Sequence, residues 1–482
     1  MDWASIIEGL AAPDYEFGRQ ALQRGIAAVY LIAFVSTANQ FPVLLGDRGL
    51  LPAPQLLRHP ALLRGPTLFR WRYSDALLRA VSWTGAAIAL VIVLGLPQLG
   101  PPWVPLLAFL VIWLLYMSIV NIGQTFYGFG WESLLLEAGF LAAFLGSNEV
   151  PPAWPVLLLF WWLVFRLEFG AGMIKMRGGS EWRDFTALYY HHETQPMPNP
   201  VSRYAHLLPK RIHRLEVVGN HFAQLVVPFF LFVPGPVGTL AAAVVIVTQG
   251  WLVVSGNFAW LNWITIVLAF SAVSDSVVHA VLPVVPLDQG TGEASMPPWW
   301  AAIGIVLTVF YLILSWPALK NLFSRNQLMN ASFNTWSLAN AYGAFGTVTK
   351  ERYEIVIEGT LAADPAEGDW LEYEFKGKPG DVRRTPGQYA PYHLRLDWLM
   401  WFLALGSPGE RWFLPLLVRL LEADKPTLKL LRRDPFGGQP PSWVRAKIYL
   451  YRFSTREEKR TTGDVWVREE LGLFRAPVSL RA

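Results

Sequence analysis

The chain of 482 residues contains no cysteine. That excludes disulfides, thiolate metal sites, iron–sulfur clusters and thiol nucleophiles together. It leaves the compartment open, because a chain without thiols suits either redox poise. Charge is scarce as well: Asp, Glu, Lys and Arg make up 16% of the residues, against about 25% in an average soluble domain. The formal net charge of +4 is small for this length and leaves no footprint for nucleic acid as a partner. Three sequence motifs are missing too. There is no G-x-S-x-G elbow, no phosphate-binding G-x-x-x-x-G-K-[ST] loop and no G-x-G-x-x-G fingerprint. Serine hydrolase, NTPase and dinucleotide chemistry therefore have no support. No internal repeat and no low-complexity tail stands out.

Apolar residues fill the space that charge leaves. Hydrophobic residues make up 53% of the chain, with 23 tryptophans, and the mean hydropathy is +0.32. Apolar runs near the ~20 residues needed to cross a bilayer recur along the first two thirds. They lie at 25–41, 80–96, 103–123, 132–146, 154–174, 217–233, 237–255, 258–274 and 299–316. The run at 132–146 is short and begins with a carboxylate. No small-residue cleavage site follows the first run, which is read as a span and not as a leader peptide. Trp103, Trp154, Trp299, Trp300 and Trp316 sit at run ends, where interfacial belts form. The reading is a polytopic α-helical membrane protein with about nine transmembrane helices over residues 1–320, carrying structured loops at 42–79 and 175–214.

The character changes after residue 320. "ERYEIVIEGT", "WLEYEFKG", "LKLLRR", "AKIYLYRF" and "DVWVREE" are short stretches rich in β-branched and aromatic residues, several of them alternating polar with apolar. Turn signals such as "KPGD" and "DPFGG" separate them, as in half-buried antiparallel strands. Residues 321–482 are thus expected to form a strand-rich, sandwich-like extramembrane domain. Its embedded helical hairpin near 396–422 would offer Trp398, Trp401, Phe402 and Trp412 as an apolar contact patch. The loops carry many basic groups, Arg48, Arg58, Arg64, Arg70, Arg72 and Arg79 among them. Counted literally, they point to the cytoplasm, but large translocated segments contribute little to that rule. Nine spans from a cytoplasmic N-terminus put the C-terminal domain outside the cytoplasm.

Ionisable groups at membrane depth are expensive and normally face a bundle interior or a cavity. Arg166, Glu168 and Lys175 lie at the end of one apolar run, and Glu132 and Glu137 in its neighbour are the natural partners. Farther on, "LPKRIHRLEVVGNHFAQLVVPFF" spaces His213, Glu216, Asn220 and Gln224 by three or four, giving one helical stripe with His221 beside it. The preceding "YYHHETQPMPNP" holds three prolines that forbid a continuous helix. Folded back, it brings His191, His192 and Glu193 toward His213 and Glu216. Such a set could bind zinc, supply a base, or act as a hydrogen-bonded polar lock. There is no H-E-x-x-H, and adjacent histidines rarely share a site, so no metal ligand and no cofactor is assigned. The candidate catalytic residues are Lys175, His191, His192, His213 and Glu216. Glu132, Glu137, Arg166, Glu168, Arg183, Asp184, Glu193, Asn220, His221, Asn257 and Asn262 are assigned to a structural polar core.

The runs "FRLEFGAGMIKMRGG", "EWRDFTALYYHHETQPMPNPVSRYAHLLP" and "VVGNHFAQLVVPF" closely resemble the lipase maturation factor family. The likeness extends from "DRGLLP" to "LANAYGAFGTVTKERYEIVIEGT". It implies a multi-pass protein of the secretory membrane that helps exported lipases fold and assemble, with the C-terminal region on the lumenal side. The cysteines expected in lumenal members are lacking, and the Arg/Ala/Pro/Leu-rich composition looks bacterial, which implies the inner membrane. The partners implied are the bilayer and an exported client such as a lipase. "GAGMIK" also resembles, more distantly, the vitamin K-dependent gamma-carboxylase-like superfamily, where the matching lysine acts as a base. That resemblance implies an alternative, an enzyme working on a lipid or quinone-like substrate through Lys175.

Overall fold

The structure, a computed structural model, describes residues 7–63, 65–283, 295–367, 369–406 and 410–480. Arg64 of the basic loop, and residues 407–409 of the break within 396–422, lie outside the described residues. The main helices are α1 (Glu16–Leu44), α2 (Asp75–Val93), α3 (Trp103–Val120), α4 (Gly130–Ala142), α5 (Trp154–Arg177), α6 (Leu188–Thr194), α7 (Lys210–Leu225), α8 (Pro236–Ser255), α9 (Leu261–Ala269), α10 (Asp275–Val281) and α11 (Pro298–Phe323). Local chemistry sets their starts. Ser74 accepts from the amide of Leu77 to cap α2, Ser274 does the same for α10 through Val277, and Pro298 opens α11 where its missing N–H costs nothing. Exposed faces of α8 and α11 carry Leu240, Val247, Leu312 and Ile313, the side chains a lipid-facing surface requires.

Nine spans are expected from hydropathy, and the count needs correction. Six helices among the described residues are long and apolar enough to cross a membrane: Pro13–Leu44, which includes α1, together with α2, α3, α5, α8 and α11. A seventh crossing follows if Leu261–Ala272 and Asp275–Val281, bent by 99°, form one span. The expected span at 132–146 is α4, only 13 residues long and buried over most of its length. Packed inside the bundle, it meets protein instead of lipid and can carry Glu132 and Glu137. The expected span at 217–233 begins within the polar α7, which stops at Leu225 before the short turn holding Pro228.

The main elements that follow are β1 (Arg352–Thr360), β2 (Leu371–Glu372), α12 (Arg395–Ala404), α13 (Phe413–Leu421), β3 (Trp443–Phe453) and β4 (Trp466–Val478). The strands form one antiparallel sheet in the order β2-β1-β3-β4. β1 runs opposite β3 from Arg352↔Tyr451 to Thr360↔Trp443, and Phe453 of β3 faces Trp466 of β4. A sandwich is expected, but the described residues show a single sheet. Helices supply the second layer: Ile355, Ile357, Val444 and Ala446 share one core with residues of α12 and α13. The other face gathers Val356, Tyr449, Tyr451, Phe453 and Trp466. Trp398 and Trp412 are buried and Trp401 and Phe402 half-buried, so the expected contact patch is core.

The sheet domain docks on one end of the bundle. Arg395 of α12 donates to Glu132 Oε1 at 2.6 Å and to the Phe126 carbonyl at 2.8 Å. Gln40, near the end of α1, donates to the His393 carbonyl at 2.7 Å. At its start, α1 is tied elsewhere: the amides of Glu16 and Phe17 donate to Asp275, each at 3.0 Å, and Arg19 binds the Ser147 carbonyl. The start of α1 and the sheet domain therefore lie at opposite ends of the bundle.

Candidate functional site

Among the described residues, four polar clusters stand out in the bundle and at its junction with the sheet. In the first, Arg166 pairs with Glu137 and donates to the Asn340 carbonyl at 2.6 Å. Glu137 Oε2 also accepts from the Asn340 amide, the Asn340 side chain and Tyr342 Oη, at 3.0, 2.9 and 2.7 Å. All four residues are buried, and both oxygens of the Glu137 carboxylate accept hydrogen bonds. This arrangement holds the chain after α11 against α4 and α5.

The second cluster is the junction itself. Glu132 lies between Arg395, Tyr116 and His393, whose Nδ1 is 3.6 Å from Oε1. His393 is fully buried among Trp131, Trp260, Phe129 and Trp398. Burial, with the Arg395 cation adding to it, pushes its imidazole down to about 3.

A chain of hydrogen bonds makes the third. Asn262 donates to Gln249 at 2.6 Å, Gln249 to Glu168 Oε1 at 2.6 Å, and Gln224 to Glu168 Oε2 at 3.2 Å. Lys175 Nζ donates to Gln224 Oε1 at 2.8 Å and Asn220 Oδ1 at 3.3 Å, and sits over the Trp182 ring at 4.5 Å. Amides thus relay between Glu168 and Lys175, which do not touch. The stripe of α7 read from its spacing provides half of this seam.

The fourth cluster is built where α6 ends on α7. His192 Nε2 is 3.7 Å from Glu216 Oε1, and His213 Nδ1 is 3.8 Å from Oε2. Trp251 of α8 donates to Glu216, and His213 Nε2 lies 3.2 Å from the His206 carbonyl. Burial raises the Glu216 carboxyl, and His192 with His213 more than reverses this, holding it down at about 2. His206 stands next to them, pushed down to about 4 by burial and then by His192 and His213.

Not every expected residue joins a cluster. His191 turns away from Glu216 to stack on Phe258 and meet Phe345 edge-on, and burial first, then His192, lowers it to about 3. It is not part of the set that sequence places around Glu216. Arg183 and Asp184, assigned to the polar core, are exposed, because the short helix carrying them projects from the bundle after Trp182 turns inward. His221 lies outside the clusters, 3.0 Å from the Trp182 carbonyl and beside the rings of Trp182 and Phe185. Asn257 satisfies its amide fully, donating to the carbonyls of Pro198 and Gly387 and accepting from the amides of Tyr389 and Ala390.

The proline-rich stretch after His192 is a docking pad. Arg352 of β1 donates to the carbonyls of Glu193, Gln195 and Pro196 at 2.9, 2.5 and 3.2 Å, groups that the prolines leave free of helical bonding. Glu193 Oε2 accepts from the Phe453 amide at 2.6 Å, and burial raises its carboxyl. Arg352, Asn340, His393 and Arg395 hold the junction together and are not among the residues expected from sequence. Their signal was a charged or amide residue inside an apolar or β-branched run, as in "LANAY" and "HLRLDWLMW".

Comparison with known proteins covers both parts of the chain. The family model for the lipase maturation factor transmembrane domain matches residues 17–280, and that for the lipase maturation factor C-terminal domain matches 338–476. Lipase maturation factor 1 of Bos taurus is 40% identical over 98% of this chain and 90% of its own length. The Homo sapiens protein of that name is 38% identical over 96% and 88%. Lipase maturation factor 2 of Homo sapiens is 30% identical over 96% and 82%. No solved structure matches the chain.

Proposed function

The chain belongs to the lipase maturation factor family, and from that premise we propose that it is a membrane-embedded maturation factor for exported proteins, with lipases as the client class. The observation that carries a client-holding role is β4. It is an edge strand of the sheet, and Leu471, Leu473 and Phe474 stand exposed along it, Leu473 at 58%. An open edge with apolar side chains is a template for an incoming strand. Its register irregularities opposite β3 and Pro477 near its end limit pairing with further copies of itself.

A client still folding after export exposes unpaired strands, which suits such an edge. The role requires the sheet domain to face the exported client. Separation of that domain from the start of α1 by the length of the bundle supports an external domain with a cytoplasmic start to α1. The composition supports a bacterial inner membrane as the location. Leu473→Lys and Phe474→Lys test the reading: exported lipase should be secreted with reduced specific activity while the variants reach the membrane in normal amount. Unchanged lipase activity in both variants would refute a client contact at β4.

A second, enzymatic reading is favoured by one observation. Lys175 is buried with only amide partners and an indole face, the setting in which an amine can work as a base. It corresponds to the lysine that the gamma-carboxylase-like resemblance singles out. Under this reading Lys175→Arg, which keeps the charge, loses function as completely as Lys175→Ala. Retained function in Lys175→Arg would leave the seam as a structural relay.

A further inference from the structure

We propose that His192, His213 and Glu216 form a divalent-cation site of the zinc class, a two-imidazole, one-carboxylate set that staples α6 to α7. The ligand atoms of the three residues lie within 4.8 Å of one another. The individual gaps of 3.7 and 3.8 Å are too long for hydrogen bonds. They run to different oxygens of the Glu216 carboxylate, and each exceeds by a few tenths of an ångström the ~3.3 Å edge of a tetrahedron built on bonds of about 2.0–2.1 Å.

Protons point the same way. His213 Nε2 faces the His206 carbonyl at 3.2 Å, and a carbonyl only accepts, so Nε2 carries the hydrogen. His213 Nδ1, on the other side of the ring, is the atom turned to the carboxylate, 3.8 Å from Glu216 Oε2. His192 is 1% exposed, and neither of its ring nitrogens has a hydrogen-bond partner, nor does His213 Nδ1. Buried imidazole nitrogens without partners are rare and call for an explanation. A cation bound by one nitrogen of His192 and by His213 Nδ1 supplies one for two of these three atoms.

The surroundings are those of a metal site. A ligand histidine usually donates its second N–H to a carbonyl, as His213 does, and a ligand carboxylate is usually held by a further donor. Trp251 Nε1 provides that donor to Glu216. His213 and Glu216 are three apart on α7, the spacing that puts two ligands on one helical face. Two imidazoles select against Mg²⁺ and Ca²⁺, which take oxygen ligands. Glu216 retains 21% side-chain exposure, so water can reach a fourth position. The proposal does not depend on the client role.

The test uses full-length protein in detergent, stripped with a chelator and titrated with Co²⁺ alone. One Co²⁺ per chain should bind with the visible absorption of four-coordinate cobalt and be displaced by Zn²⁺. His192→Ala, His213→Ala and Glu216→Gln should abolish the bands. Trp251→Phe, which removes only the outer donor, should weaken binding by about 10–100-fold. His221→Ala, on the same helix but outside the set, should bind like the wild type. Should a histidine variant fail to fold, Glu216→Gln, nearly isosteric, and the wild-type stoichiometry still decide. Absence of saturable Co²⁺ binding by the wild type would overturn the proposal, as would equal binding by Glu216→Gln.

Discussion

Glu137 and Arg166 show how single residues set the terms of this fold. Both are fully buried and each depends on the other for its charge. Glu137→Ala leaves a guanidinium unpaired, which costs about 3–5 kcal/mol for a buried pair. A double replacement, Glu137→Leu with Arg166→Met, removes both charges and should recover most of that loss in thermal melts of the detergent-solubilised protein. Sequence narrowed this pair to two cations, Arg166 or Lys175, and two carboxylates, Glu132 or Glu137, without choosing among them; the structure pairs Arg166 with Glu137 and gives Glu132 to Arg395. The relay from Glu168 to Lys175 was legible only in part. Periodicity gave Asn220 and Gln224 on α7, whereas Gln249 is one polar residue in the long apolar α8 and nothing local marks what it meets.

His393 carries a pH dependence at the same scale. In the unfolded chain its imidazole takes a proton near pH 6.5, whereas in the folded junction it resists protonation down to about 3. Between those values the unfolded state binds more protons, so stability rises with pH across the window. Glu132 and Arg395 face the ring and Tyr116 completes the cluster. The junction should be fully stable above pH 6.5 and weaken progressively as the pH falls below it. Melting temperatures measured between pH 7 and pH 4.5 should fall in the wild type and fall less steeply in His393→Gln. Equal slopes would place the acid sensitivity elsewhere.

Elements expose the limits of hydropathy more sharply. A window of apolar residues assumes that each span faces lipid over its whole length. α4 breaks that assumption, since it packs within the bundle, and α7 breaks it with a polar face turned to the Lys175 relay. The hairpin of α12 and α13 is the reverse case. Its tryptophans look like a surface patch in sequence, but the sheet and bundle cover them, as three-dimensional neighbours that no local pattern names. Trp412, with no exposed surface, packs on Phe126 and Phe413. Trp412→Ala should therefore cost about 3–5 kcal/mol of stability, measured by thermal unfolding; a loss under ~1 kcal/mol would restore the surface reading. Four of the five expected strands were legible from alternation, whereas "LKLLRR" (428–433) is a turn with an isolated bridge from Arg433 to Glu374 in place of a strand. The sheet's single-layer form was not legible, because alternation does not say whether helix or sheet covers the inner face.

At the scale of the whole molecule, the bundle separates two ends and the sheet domain commits to one of them through Arg352, Arg395 and Glu193. A phosphatase fused after Ala482 should be active, and a green fluorescent protein there dark, if that end faces outward. The opposite pattern would put the domain in the cytoplasm. The central claim, maturation of exported clients, is tested most directly by the specific activity of an exported lipase, measured as activity per secreted molecule in cells lacking this chain. The account predicts a marked fall in activity per molecule, restored by the wild-type chain but not by one truncated before β1. An exported lipase of undiminished specific activity in the deletion strain, across every lipase that cell exports, would contradict it.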